Sequence, residues 1–370
     1  MLRTSLMRRR VHALIALAAI GALALASACD DGGDSEAPVD RGATGEPTAA
    51  GGAATATSGP GATPGAQDGV EIDEFDLPAQ GARPHSIAVD SGGRIWFTEN
   101  VGNKLGRFDP GSEQFDEWEV PTANASPHGI GVDPDGFVWI TYIGVSKLAR
   151  FDPQTEEFQE FAIPSPNTGP HSIAFDPDGN LWFTESRGDA IARLDRNTGA
   201  ILEVSVPTGE SVPYGIAVDQ DGVVWWAELQ GHKIGRYDPA TEQVEELTPP
   251  TLDQGARRIA VDAGGGVWFT EYNAGKLGYY DPDEQRFEEF TLPAADALPY
   301  AIIVAQDGGV WLSDFTSNSV LRFDPASKTF EAFAIPSPDS ECRTIVEDQD
   351  GAIWCPESRT DKLLRLALDP

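Results

Sequence analysis

The chain has 370 residues, with 59 acidic side chains against 26 basic ones and a net charge of −33. That balance argues against nucleic acid as a partner, because phosphate binding needs a basic surface. It favours solubility and identifies no ligand.

The first 29 residues read as a targeting segment. Arg3, Arg8, Arg9 and Arg10 make a basic start, and Val11 to Leu25 form an apolar run too short and alanine-rich for a stable span. Ala26-Ser27-Ala28-Cys29 resembles a bacterial lipobox, so a membrane lipid anchor at Cys29 is expected. The mature protein would then be exported, periplasmic or extracellular. An ordinary signal peptide cut nearby is the alternative. Residues 30–69 are Gly, Ala, Thr, Pro and Asp with almost no large apolar side chain, and read as a disordered tether.

From residue 70 to 370 the chain is periodic. Seven tryptophans from Trp96 to Trp354 stand 43 residues apart, and seven prolines from Pro78 to Pro336 keep the same step. A period in the 40s with short alternating runs predicts an all-β, seven-bladed β-propeller, one four-stranded blade per repeat. In one repeat the strands are expected at 172–176, 181–185, 190–195 and 201–206, with a tight Pro177-Asp178-Gly179 turn after the first. Asp-Pro-Asp-Gly could suggest calcium, but turn chemistry accounts for it. The chain ends after a third strand, Lys362 to Leu368, and Val70 to Leu77 aligns with the fourth strands. The N-terminal strand should therefore complete the last blade and close the ring, with tryptophans and phenylalanines filling the space between blades. A closed ring is expected to be monomeric. Cys342 and Cys355 flank a hairpin turn, and the stagger of its strands decides whether they can bond.

First strands of propeller blades line the central channel. The residue beginning that strand is, in successive repeats, His85, His128, His171, Tyr214, Arg257, Tyr300 and Arg343. Fourteen residues on come Glu99, Tyr142, Glu185, Glu228, Glu271, Asp314 and Glu357, which antiparallel pairing brings to the same mouth. Imidazoles near carboxylates suit general bases or metal ligands. A glutamate there can equally serve the strand beside it.

The string Pro-His-Ser-Ile-Ala-Phe-Asp-Pro-Asp-Gly-Asn-Leu-Trp-Phe-Thr-Glu at 170–185, with 103–108 and 158–164, resembles the repeat of the virginiamycin B lyase family. The resemblance covers all seven repeats. It implies Mg²⁺-assisted opening of a cyclic depsipeptide lactone by elimination. His171 would be the base, His128 and Tyr214 would meet the substrate with His85 beside them, and Glu185 would bind the metal, helped by Glu228 or Glu99. The family's other metal glutamate falls two residues before the base, where this chain has Gly169. A second reading is a non-catalytic propeller that binds a small molecule or cyclic peptide at its mouth. There Arg257, Arg258 and Arg343 would offer forked contacts to a carboxylate or phosphate.

Overall fold

The computed structural model describes residues 69–368. The expected signal, the lipid anchor at Cys29 and the tether up to residue 68 lie outside the described residues. Those described form seven four-stranded antiparallel sheets and no helix. Blades 1 to 6 run 84–119, 127–162, 170–205, 213–247, 256–291 and 299–334. Blade 7 combines Val346–Glu347, Ile353–Glu357 and Lys362–Leu368 with the N-terminal strand Val70–Asp76. That strand pairs antiparallel with the last one, Val70 opposite Leu368 and Asp76 opposite Lys362. The expected closure is the observed one.

The repeat's conserved spacing has a local cause. In the turn after the first strand, Asp176 Oδ1 accepts the amide N–H of Asp178 and Asn180, and Oδ2 accepts the Trp182 indole N–H at 3.1 Å. The aspartate, the turn and the tryptophan thus form one unit, in which glycine at φ +80° (Gly179) takes a left-handed conformation costly for other residues. Six blades repeat it through Asp90, Asp133, Asp176, Asp219, Asp262 and Asp348; the sixth blade has Ala305 there. These contacts account for the turn without a cation. All seven repeat tryptophans are buried. Their clusters cross between blades: Trp139 of blade 2 packs with Leu181 and Phe183 of blade 3.

The first strand of blade 3 begins at Pro170, two residues before the expected 172, whereas that of blade 7 is shortened to Val346–Glu347. In blade 3 Pro170 lies opposite Glu185, and a bulge follows before Ile173 meets Phe183. The same irregularity recurs in blades 1 to 6. It occupies the two residues that line the channel, and bulges re-aim side chains. Cys342 and Cys355 are joined as a disulfide with Cα atoms 5.7 Å apart, inside the range a bond requires.

Candidate functional site at the channel mouth

A hydroxyl ratchet positions the mouth residues. The threonine of the Trp-x-Thr-Glu strand accepts an N–H from its own first strand and donates to the mouth residue of the next blade. Thr98 Oγ1 donates to the His128 carbonyl, Thr141 to His171 and Thr184 to Tyr214, each at 2.8 Å. Thr270 does the same for Tyr300, while Ser313 donates to Cys342, the residue before Arg343. Blade 4 has Ala227 in this place.

The seven mouth side chains form one continuous layer, and all are buried. Neighbouring ring centroids stand 3.7 Å apart for His85 and His128, 4.0 Å for His128 and His171, and 3.8 Å for His171 and Tyr214. Across the channel the Tyr214 and Tyr300 hydroxyls meet at 2.6 Å. Arg257 donates to Tyr214 Oη at 2.8 Å and its guanidinium lies 4.0–4.6 Å from the rings of Tyr214, Tyr272 and Tyr300. Arg343 donates to Tyr300 Oη and to Glu341. His85, His128, His171, Tyr214 and Arg257 are therefore brought together as one surface.

Burial holds His171 well below the usual imidazole range, with His128, Arg258 and Arg257 adding to the effect. His85 is lowered first by burial, then by His128 and Arg343. Both rings are neutral at pH 7, the form that can accept a proton, but they are weak bases.

The glutamates go elsewhere. The Glu185 carboxyl folds over its own turn, where a side chain on Gly188 would stand 3.0 Å from Oε2, and it faces Glu203 of the fourth strand. Glu228 folds likewise over Gly231, accepts the Trp226 indole N–H at 3.1 Å, and faces Glu246. Burial, then the neighbouring carboxylate, raises Glu185 to about 8 and Glu228 to about 7. Glu99 and Glu271 repeat the arrangement at about 8, and Glu357 at about 7. None of the interactions of Glu185 or Glu228 reaches an imidazole. The alignment of strands that places histidine and glutamate side by side in sequence thus separates their functional atoms.

This bears on magnesium, which asks for several oxygen ligands. Among the described residues no three His, Cys, Asp or Glu side chains come together as a cation site. Gly169 offers no ligand, and the space a side chain would take there is filled by Arg187, 2.8 Å from an ideal Cβ. Glu185, raised to about 8, is also largely neutral at pH 7 and then a poor cation ligand. The donor set does not fit Mg²⁺.

A cluster of charge that the mouth positions alone do not reveal flanks the layer where blade 7 meets blade 1. Glu341 lies two residues before Arg343, at the repeat position that Gly169 holds before His171. It bonds Arg343 at 2.7 Å and stands 3.8 Å from Arg83 and 3.5 Å from Arg359. Reading the 43-residue step at that offset would have found it.

These features define a seven-bladed propeller with a cationic, aromatic mouth on an acidic body. The chain belongs to the virginiamycin B lyase family, whose model matches residues 65–151 and 139–366. A streptogramin B lyase structure is 28% identical, with a TM-score of 0.76, over 81% of this chain and 98% of that one. The virginiamycin B lyase of Staphylococcus aureus is 27% identical over 81% and 99%, also at 0.76; a catalytically inactive histidine-to-alanine form of it, solved with quinupristin, matches equally well. The extracellular domain of a hybrid two-component system from B. thetaiotaomicron shares the fold at 14% identity, with a TM-score of 0.64 over 80% of this chain and 39% of that one. No curated protein matches significantly.

Proposed function

We propose that this protein is a ligand-binding member of the lyase family, taking a cyclic peptide or other small molecule rich in carbonyl or carboxylate oxygens at its mouth, without metal-assisted turnover. One observation carries the reading. On a chain of net charge −33, the mouth gathers Arg257 and Arg343 behind a face of imidazoles and tyrosines, with Arg83 and Arg359 at its rim. Guanidinium groups fixed against aromatic rings hold oxygen acceptors with little loss of side-chain freedom. The Cys342–Cys355 disulfide and the sequence of residues 1–29 support export and anchoring at Cys29.

A second reading, turnover, draws on the consecutive contacts of His128, His171 and Tyr214 and on the likeness to streptogramin B lyases. In it the neutral His171 imidazole takes the proton α to an ester carbonyl. The electrons form a C=C bond as the ester C–O bond breaks, and the leaving oxygen ends protonated. Such a product is a linear isomer of the lactone.

Chromatography with mass spectrometry separates the readings. A streptogramin B antibiotic is incubated with the full-length chain, with Mg²⁺ and with chelator, while binding is followed by calorimetry. Binding with antibiotic recovered unchanged is the expected result. A linear isomer of equal mass would replace this reading by the lyase, and a gain of one water would mean hydrolysis. Neither binding nor turnover would remove this class of ligand.

A further inference from the structure

One residue further down each first strand the channel changes character. Below the mouth layer lies a cavity of about 170 Å³ lined by Ser86, Ser172, Arg258 and Thr344, with a floor of isoleucines, one from every blade. Gly129 and Gly215 keep it open where two other blades contribute. Its size excludes drug-sized ligands, which need roughly 300 Å³ or more. The mouth layer above it is 0–6% exposed, and the Arg258 guanidinium packs beneath it, 5.1 Å from the Tyr214 ring and 5.6 Å from that of Tyr300.

Arg258 is the only charged side chain in this lining. Its Nη1 reaches two blades across to donate to Ser172 Oγ at 2.6 Å, which fixes the guanidinium plane. The Ser172 hydroxyl lies 3.0 Å from His171 Nδ1. Arg258 Nε and Nη2 are both shut off from solvent and have no hydrogen-bond partner within the protein. These two N–H groups point from the same edge of the guanidinium, the edge that forms the forked pair with two oxygens of one anion. A half-buried cation whose forked edge is shut off from solvent and unpaired is costly.

We infer that the channel interior is a binding site for a small oxyanion, of the carboxylate or phosphate class, held side-on by Nε and Nη2 of Arg258. The Ser86 hydroxyl, 3.2 Å from His85 Nδ1, stands on the same cavity, while the Thr344 hydroxyl is committed to the His85 carbonyl at 3.3 Å. The anion would neutralise Arg258 beneath the histidines and lock the first strands of facing blades together.

The test is a thermal-unfolding titration of the full-length chain at pH 7 and constant ionic strength, using acetate and inorganic phosphate as probes and a large organic anion as the balancing salt. The expected result is a saturable rise in Tm. Arg258→Lys, which keeps the charge and loses the fork, should weaken the apparent affinity at least tenfold, and Arg258→Met should abolish the shift. Because these variants could perturb folding, ¹⁵N NMR of the arginine side chains in the unmutated protein gives an independent reading. One buried Nε–H resonance should move to saturation with the same midpoint. An unsaturable Tm rise, an undiminished shift in both variants, or Nε resonances unmoved by either anion would overturn the assignment.

Discussion

Gly169 shows how one residue bears on the whole functional reading. Its φ is +60°, yet the same step holds Arg83, Ser126, Val212 and Glu341 at +48° to +53° in other blades, so the backbone tolerates a side chain there. What opposes one is the Arg187 guanidinium, the movable end of a flexible chain. Gly169→Glu should therefore fold, losing about 1–2 kcal/mol for a non-glycine left-handed residue, as read by denaturant unfolding. It would set a carboxylate two residues before His171. With Glu185 and Glu228 still folded over their own turns, one added carboxylate falls short of the several oxygens that Mg²⁺ needs, and calorimetry should show no Mg²⁺ binding by the variant; binding would mean that Gly169 alone limits the metal. The turn aspartates make a second case. Asp219 accepts two amide N–H groups and the Trp225 indole N–H, so Asp219→Ala leaves three donors short and should cost about 1–3 kcal/mol. Blade 6, with Ala305 at that place, forms its strands regardless, so the loss should show in stability and not in fold.

At the scale of the strand, closure of the ring is a side-chain matter as much as a backbone one. Phe75 on the N-terminal strand packs 4.7 Å from Phe108 of blade 1 and 5.8 Å from Trp354 of blade 7. Glu74 accepts from Lys362 and Ser337, tying the strand to blades 7 and 6. Removing residues 1–77 would leave Lys362–Leu368 as an open edge, which invites pairing with other chains. The truncated protein should self-associate in sedimentation experiments, whereas Phe75→Ala should stay monomeric and lose about 3 kcal/mol. Strands, blade count and closure were legible from sequence because a period fixes them. The positions of the mouth residues were legible too, since Pro170 and Glu185 do pair. The directions of their side chains were not. A two-residue bulge redirects the histidine, and the glutamate folds over its own turn toward a fourth-strand carboxylate of the same repeat, Glu203. Periodicity gives position along a strand and does not say which way a side chain turns at a bulge or a hairpin end. The rim cluster was hidden for a different reason, because Glu341 meets Arg83 only through ring closure.

At the scale of the molecule the repeat makes a titrating array. Burial raises Glu99, Glu185 and Glu271 to about 8, and Glu228 and Glu357 to about 7, all above their ordinary 4.5. Between those limits the folded state holds protons that the unfolded chain has released, so each group destabilises the fold increasingly as pH rises through its folded value. His85 and His171 work oppositely: lowered in the fold, they add stability as pH climbs to about 6.5 and nothing beyond it. Glu74, Glu160, Glu246 and Glu289, held down by lysine and hydroxyl donors against their partial burial, lose their contribution only in acid, below about 4.5. The window from about pH 6.5 to 8.5 thus isolates the buried glutamates, and there Tm should fall by several degrees. Glu271→Gln keeps the shape of the neutral acid and cannot ionise. The variant's Tm should decline less steeply across this window, and combining it with Glu99→Gln should flatten the curve further, since the two sites sit in separate blades. A Tm that rises over the same interval would mean these carboxyls are ionised in the fold, and would reopen Glu185 and Glu228 as cation ligands.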